Sequence, residues 1–176
     1  MNRDLELVAL VVTVLVAGSL LVLAQPATAV DITVDGPSEV TPDERASFDA
    51  VVDTRSDPVD VDSLNVVIMT DTGESVTVTF APDGTVLDVR SSGVTKETIN
   101  IKQLETSLDI ALESERDDVG YGVNGGDALA YQIQFDGKAF ADGEFDLSVS
   151  INTPDEQNRD SSAEETFVIS SAETST

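Results

Sequence analysis

From residue 30 onward, apolar and polar side chains alternate in short runs, each closed by Gly, Pro, Asp or Asn. A period of two marks a strand with one buried face, so the spacing predicts one strand after another. Residues 30–34 (Val-Asp-Ile-Thr-Val) form the first and stop at the turn signal Gly36-Pro37. Phe48, Ala50 and Val52 share a face of the second, with Ser47, Asp49 and Val51 behind them. Leu64, Val66 and Ile68 mark a third strand, and Val76, Val78 and Phe80 a fourth backed by Thr77 and Thr79. Ala81-Pro82-Asp83-Gly84 then turns the chain. Proline pre-sets the first dihedral of such a turn, and Gly84 supplies the positive φ of a tight hairpin. The return strand covers residues 85–90, with Leu87 and Val89 on one side.

The middle, residues 95–116, fits two periods. Ile101, Leu104, Leu108 and Leu112 fit one helical face, while Leu108, Ile110 and Leu112 fit a strand. Glu105, Asp109 and Glu113 would place like charges along one flank of a helix, which favours a strand over residues 107–112. The glycine-rich segment 120–126 reads as a loop. Alternation returns at Tyr131, Ile133 and Phe135, at Phe145, Leu147, Val149 and Ile151, and at Phe167 and Ile169. Residues 152–164 form a polar loop between the last two strands. Eight or nine short strands with turns between them predict an all-β fold, an antiparallel immunoglobulin-like β-sandwich with at most one helix in its body. Burying one Phe in such a core is worth about 1.5–3 kcal/mol, so Phe145→Asp or Phe80→Asp is expected to unfold it.

Ahead of the strands stands a different pattern. Residues 7–24 (LVALVVTVLVAGSLLVLA) carry no charge, a length near the minimum for a membrane-crossing helix. Ala27 and Ala29 stand at the offsets of a small-residue cleavage site, although the run exceeds the usual signal-peptide core of about 7–15 residues. A retained transmembrane anchor and a signal helix cleaved after Ala29 both remain open, and both place the strand-rich body outside the cell. The expected organisation is an N-terminal hydrophobic helix over 1–29, the sandwich over 30–169, and an unstructured tail over 170–176.

Charge adds an environment. The 176 residues carry 34 acids against 9 bases, a net charge of −25, which repels nucleic acid and anionic lipid surfaces. Alternating apolar runs separate this chain from an acidic disordered tail, so the carboxylates read as a surface adapted to high salt. At about 1 M salt the screening length falls to roughly 3 Å, and such a surface stops repelling itself. Folding is therefore expected to loosen in dilute buffer.

Several short motifs carry a resemblance. They are residues 31–37 (Asp-Ile-Thr-Val-Asp-Gly-Pro), the Thr41-Pro42 turn and residues 80–85 (Phe-Ala-Pro-Asp-Gly-Thr). The late strand over 143–151 and the closing Thr166-Phe167-Val168-Ile169 complete the set. Together they resemble extracytoplasmic domains of haloarchaeal surface proteins, over most of residues 30–169. The resemblance implies a secreted or membrane-attached binding or structural module. It departs from those relatives that carry a C-terminal sorting signal, since no second apolar segment is present, which leaves the N-terminal run as the attachment.

Candidate chemistry is sparse. With no His, the chain lacks the commonest general base and zinc ligand; with no Cys, it lacks disulfides and thiolate metal sites. Asp57, Asp60 and Asp62 share one loop, and Asp117, Asp118 and Asp127 lie close in sequence, as oxygen ligands of calcium would. No EF-hand spacing is present, and neighbouring carboxylates also arise from an acidic composition alone. A glycosidase pair cannot be nominated among so many acids, and without Trp only Tyr121 and Tyr131 could stack on a sugar. Lys96 or Lys102 with a serine could form a dyad, against the simpler reading of solvated lysines. Tyr121 between glycines suits a protein contact or folds back on the sandwich edge. Asn152-Thr153-Pro154 fails the N-glycosylation pattern. No cofactor is expected, calcium aside.

The expectation is a non-enzymatic halophilic cell-surface protein, attached to the membrane by its N-terminal helix and meeting a protein partner for adhesion, assembly or envelope structure. The alternative is a secreted ligand- or calcium-binding module released after Ala29.

Overall fold

The computed structural model describes residues 30–54, 60–113, 128–154 and 162–171. Within them the alternation becomes ten strands. These are β1 (Asp31–Asp35), β2 (Glu39–Val40), β3 (Arg45–Asp53), β4 (Ser63–Thr70), β5 (Ser75–Phe80), β6 (Val86–Ser92), β7 (Asp109–Leu112), β8 (Ala128–Asp136), β9 (Gly143–Asn152) and β10 (Ser162–Ile169). A helix, α1 (Ile101–Ser107), precedes β7. The strands pair as a four-stranded sheet, β1-β3-β8-β7, and a six-stranded sheet, β2-β10-β9-β4-β5-β6. All pairings are antiparallel except β2 with β10. This strand order is that of a variable-type immunoglobulin sandwich, whose second sheet is widened by two extra strands, here β5 and β6. The predicted two-sheet all-β body is what the described residues form.

The inward positions are those the period of two marks, and the sheets meet through rings. Five of the six phenylalanines, Phe48, Phe135, Phe140, Phe145 and Phe167, pack in one cluster of stacked, tilted and edge-on rings with centroids of contacting pairs 5.0–6.1 Å apart. The cluster ties β3 and β8 of one sheet to β9 and β10 of the other, in a chain without a disulfide to do so. Gly36 turns the chain directly over the Phe48 ring: a Cβ there would lie 2.1 Å from Phe48 Cδ1, so a larger residue would displace the ring.

In the middle of the chain both predicted alternatives occur, one after the other. Asn100 caps α1 by accepting the Gln103 N–H at 3.3 Å, and Leu104 is buried. The Leu108 N–H donates to the Leu104 carbonyl at 2.7 Å, and the chain then extends into β7, bringing Ile110 and Leu112 against the core. The helix stops before Asp109, so the like-charge flank that argued against a helix never forms.

Three further differences have physical causes. Strand β2 is two residues long, too short for a periodicity to show. Strand β10 begins at Ser162, inside the stretch expected as a polar loop, because Ser162–Glu165 pair with Leu147–Ser150 although only Ala163 among them is apolar. The pairing of β5 with β6 shifts between Thr79 and Phe80, where Phe80 faces Val86 and Thr79 faces Asp88. Leu87 is the extra residue of this bulge and points outward, away from the side it was expected to share with Val89.

The N-terminal run, the 120–126 loop and residues 172–176 lie outside the described residues, among which no helix is long and apolar enough to cross a membrane. Ser170 and Ser171 are hydrogen-bonded, the first to the Val40 carbonyl and Glu39, the second to Asp142.

Candidate functional site

Of the acidic loop expected to take calcium, Asp57 lies outside the described residues. Asp60 and Asp62 flank buried Val61 and are both exposed, and the Asp62 N–H donates to the Asn152 carbonyl at 2.9 Å. Among the described residues no three acidic side chains converge as a metal site requires. Asp117, Asp118, Asp127 and Tyr121 also lie outside the described residues. Lys96 and Lys102 line a groove of about 280 Å³ with Val94, Ile99 and Ile101. The buried Ser107 hydroxyl donates to the Leu104 carbonyl and accepts the Asp136 N–H, so it is not offered to either lysine. The apolar cavity between Phe80, Ile110 and Tyr131 is about 10 Å³, at the lower limit for one water.

What distinguishes this sandwich is the chemistry of its four sheet edges. An edge strand offers a row of backbone donors and acceptors to any passing strand, and natural sheets blunt such edges with charge or brevity. Edge β1 reads Asp-Ile-Thr-Val-Asp, with both carboxylates exposed. Edge β2 is two residues long and begins at Glu39, and edge β7 is four residues long and begins at Asp109. Edge β6 is seven residues long, and no strand among the described residues flanks its outer side. Its two charges cancel: Arg90 Nε donates to Asp88 Oδ2 at 2.6 Å.

The neutrality extends inward. Across β4, β5 and β6, Asp88 and Arg90 are the only ionisable side chains, in a molecule of net charge −25. The outward row beside them is Ser75, Thr77 and Thr79, and Thr79 donates its hydroxyl to Asn65 Oδ1 at 2.8 Å. Val86 and Leu87 are 49% and 55% exposed at the start of the same edge. Sequence reading placed Leu87 on the same side of the strand as Val89. The adjacent pair Val86-Leu87, which breaks the alternation straight after a turn, is the signal that marks the bulge.

The turn that delivers β6 is held firmly. The Ala81 N–H donates to the Thr85 carbonyl at 2.8 Å, and Gly84, at φ +88°, donates to the Ala81 carbonyl at 2.9 Å. A Cβ on Gly84 would lie 2.6 Å from the Ile110 carbonyl oxygen, so the turn rests on β7 of the opposite sheet. Asp83 Oδ1 accepts the Thr85 N–H at 2.9 Å. That bond first, and the Thr85 hydroxyl second, hold the Asp83 carboxyl below the usual carboxylate range. From β8, the buried Tyr131 hydroxyl donates to the Pro82 carbonyl at 2.8 Å. Burial, and to a lesser degree the Asp83 charge, push the Tyr131 phenol above its ordinary value. The edge is thus presented by a turn bonded to both sheets.

No family model matches the chain. No curated protein matches it either. Among solved structures it is similar to the CARDB domain of the PF1109 protein from Pyrococcus furiosus. The crystal structure of that domain in complex with di-metal ions is 10% identical, with 80% of this chain and 87% of that one covered and a TM-score of 0.39. The solution structure is also 10% identical, with 80% and 93% covered and a TM-score of 0.40. At scores this low the immunoglobulin-like assignment stands on the strand order and register above, and nothing about ligands follows from the likeness.

Proposed function

We propose that the chain is a non-enzymatic module, attached to a membrane through its N-terminal run, that presents an acidic β-sandwich outside the cell and works by protein contact along β6. One observation carries the reading: the longest edge strand is neutral and has no flanking strand among the described residues, while β1, β2 and β7 are short or acidic. An edge of this kind binds by adding a strand, with main-chain hydrogen bonds giving affinity and the flanking side chains giving choice. A briny exterior suits the rest of the surface. Asp35 stands directly opposite Asp49, and Asp31 opposite Asp53, pairings that dilute buffer penalises and molar salt tolerates.

Because the chain has no Cys, single cysteines report position cleanly. Asp71→Cys, in an exposed turn, is expected to react with a membrane-impermeant maleimide on intact cells. Ser92→Cys, on β6, is expected to react in the purified chain at high dilution and to be protected on cells. Reaction of Asp71→Cys only after lysis contradicts the location, and equal reaction of Ser92→Cys in both settings contradicts the contact.

A further inference from the structure

Resting on that reading, we propose that the occupant of the β6 edge is a second copy of this chain, paired antiparallel about Val89. The strand is self-complementary in that register. Val89 then meets the partner's Val89, Asp88 meets the partner's Arg90, and Arg90 meets the partner's Asp88. Residues one position either side of the centre lie on one face of the strand, so both ion pairs form on the outer face of the joined sheet. The same face carries the bond between Arg90 and Asp88 within one chain, which engages only Nε. The arginine side chain is 82% exposed, and its two terminal amino groups have no partner among the described residues. Guanidinium geometry suits those donors to a second carboxylate. Shifting the centre to Asp88 or Arg90 would instead set like charges face to face, so the charges select one register. Such a contact is isologous, closes on itself and joins two six-stranded sheets into one continuous sheet.

Salt sets when this happens. Two bodies of charge −25 repel over distance in dilute buffer, and molar salt removes that long-range barrier while leaving the backbone hydrogen bonds and the contact-distance Asp88–Arg90 hydrogen bonds in place.

The test uses the full chain in detergent, with protein mass read by light scattering in molar KCl. Wild type is expected to be dimeric. Asp88→Arg alone and Arg90→Asp alone each replace two charge-assisted hydrogen bonds with like-charged pairs that cannot bond, weakening self-association by about tenfold. At contact distance such bonds persist in molar salt, where the wider Asp35–Asp49 pair is screened. Mixing the two single variants restores a dimer, and so does the double variant Asp88→Arg/Arg90→Asp. Single variants as dimeric as wild type overturn the proposal, as does a dimeric wild type whose mixed variants stay monomeric. A wild type that is monomeric at every concentration also overturns the second copy. In that case protection of Ser92→Cys on cells still upholds the contact reading and assigns the edge to a different protein, so the two failures are distinguishable.

Discussion

Removing one oxygen atom from the core tests how the sandwich holds the turn that leads into β6. Tyr131 is 2% exposed, and its hydroxyl donates to the carbonyl of Pro82, itself buried, at 2.8 Å. Tyr131→Phe keeps the ring and deletes the donor, leaving a buried carbonyl without a partner. An orphaned group of this kind costs about 1–3 kcal/mol, so we take about 2 kcal/mol as the expected loss. In a domain of this size that lowers Tm by about 8 °C. The pH dependence gives a second, independent sign. Burial raises the phenol pKa in the folded state, so the stabilisation from neutral Tyr131 is complete below the unfolded value near 10 and fades as pH rises past it. The variant lacks that group. The difference in Tm between wild type and variant should therefore be constant from about pH 7 to 9 and shrink above about pH 10. Circular dichroism melts of the full chain in molar KCl measure both. Equal Tm values at neutral pH, or a gap unchanged at alkaline pH, would refute the reasoning.

Two other perturbations probe the surface and the core. Asp35→Asn relieves a like-charge pair with Asp49, worth roughly 0.5–0.8 kcal/mol at about 5–6 Å in water and largely screened in molar salt. It should raise Tm by about 2–3 °C in dilute buffer and hardly at all in molar KCl; an equal gain in both would contradict the salt argument. Phe167→Ala removes the ring that contacts Phe48, Phe135, Phe140 and Phe145, at an expected cost of about 3–5 kcal/mol. Chemical denaturation showing a loss below about 1 kcal/mol would mean the ring cluster does not join the sheets as described.

How much of this is legible in the sequence differs by region. Strands such as β3, β5, β8 and β9 alternate cleanly because each lies between a dry core and water, and their inward residues follow directly from the period of two. The 95–116 segment is not separable by period, because a seven-residue helix and a four-residue strand share Leu108 at their junction. Strand β10 hides its first half because pairing with β9, rather than burial of large side chains, holds Ser162–Glu165. The candidate site was the least legible part. Sequence names acidic loops, where composition supplies many neighbouring carboxylates, whereas the distinguishing feature is the absence of net charge across β4, β5 and β6. That neutrality becomes meaningful only once the sheet order places β6 at an edge, which a local pattern does not show. The Tyr131 bond to Pro82 joins residues far apart in the chain and is equally invisible before folding.

Amide hydrogen exchange over residues 86–92 bears most directly on whether β6 is covered in the working protein. The full chain in membranes from its own cells, held in molar salt, should exchange these amides far more slowly than the same chain purified and highly diluted, while β5 behaves alike in both. Equally fast exchange of β6 in the two settings would contradict the account.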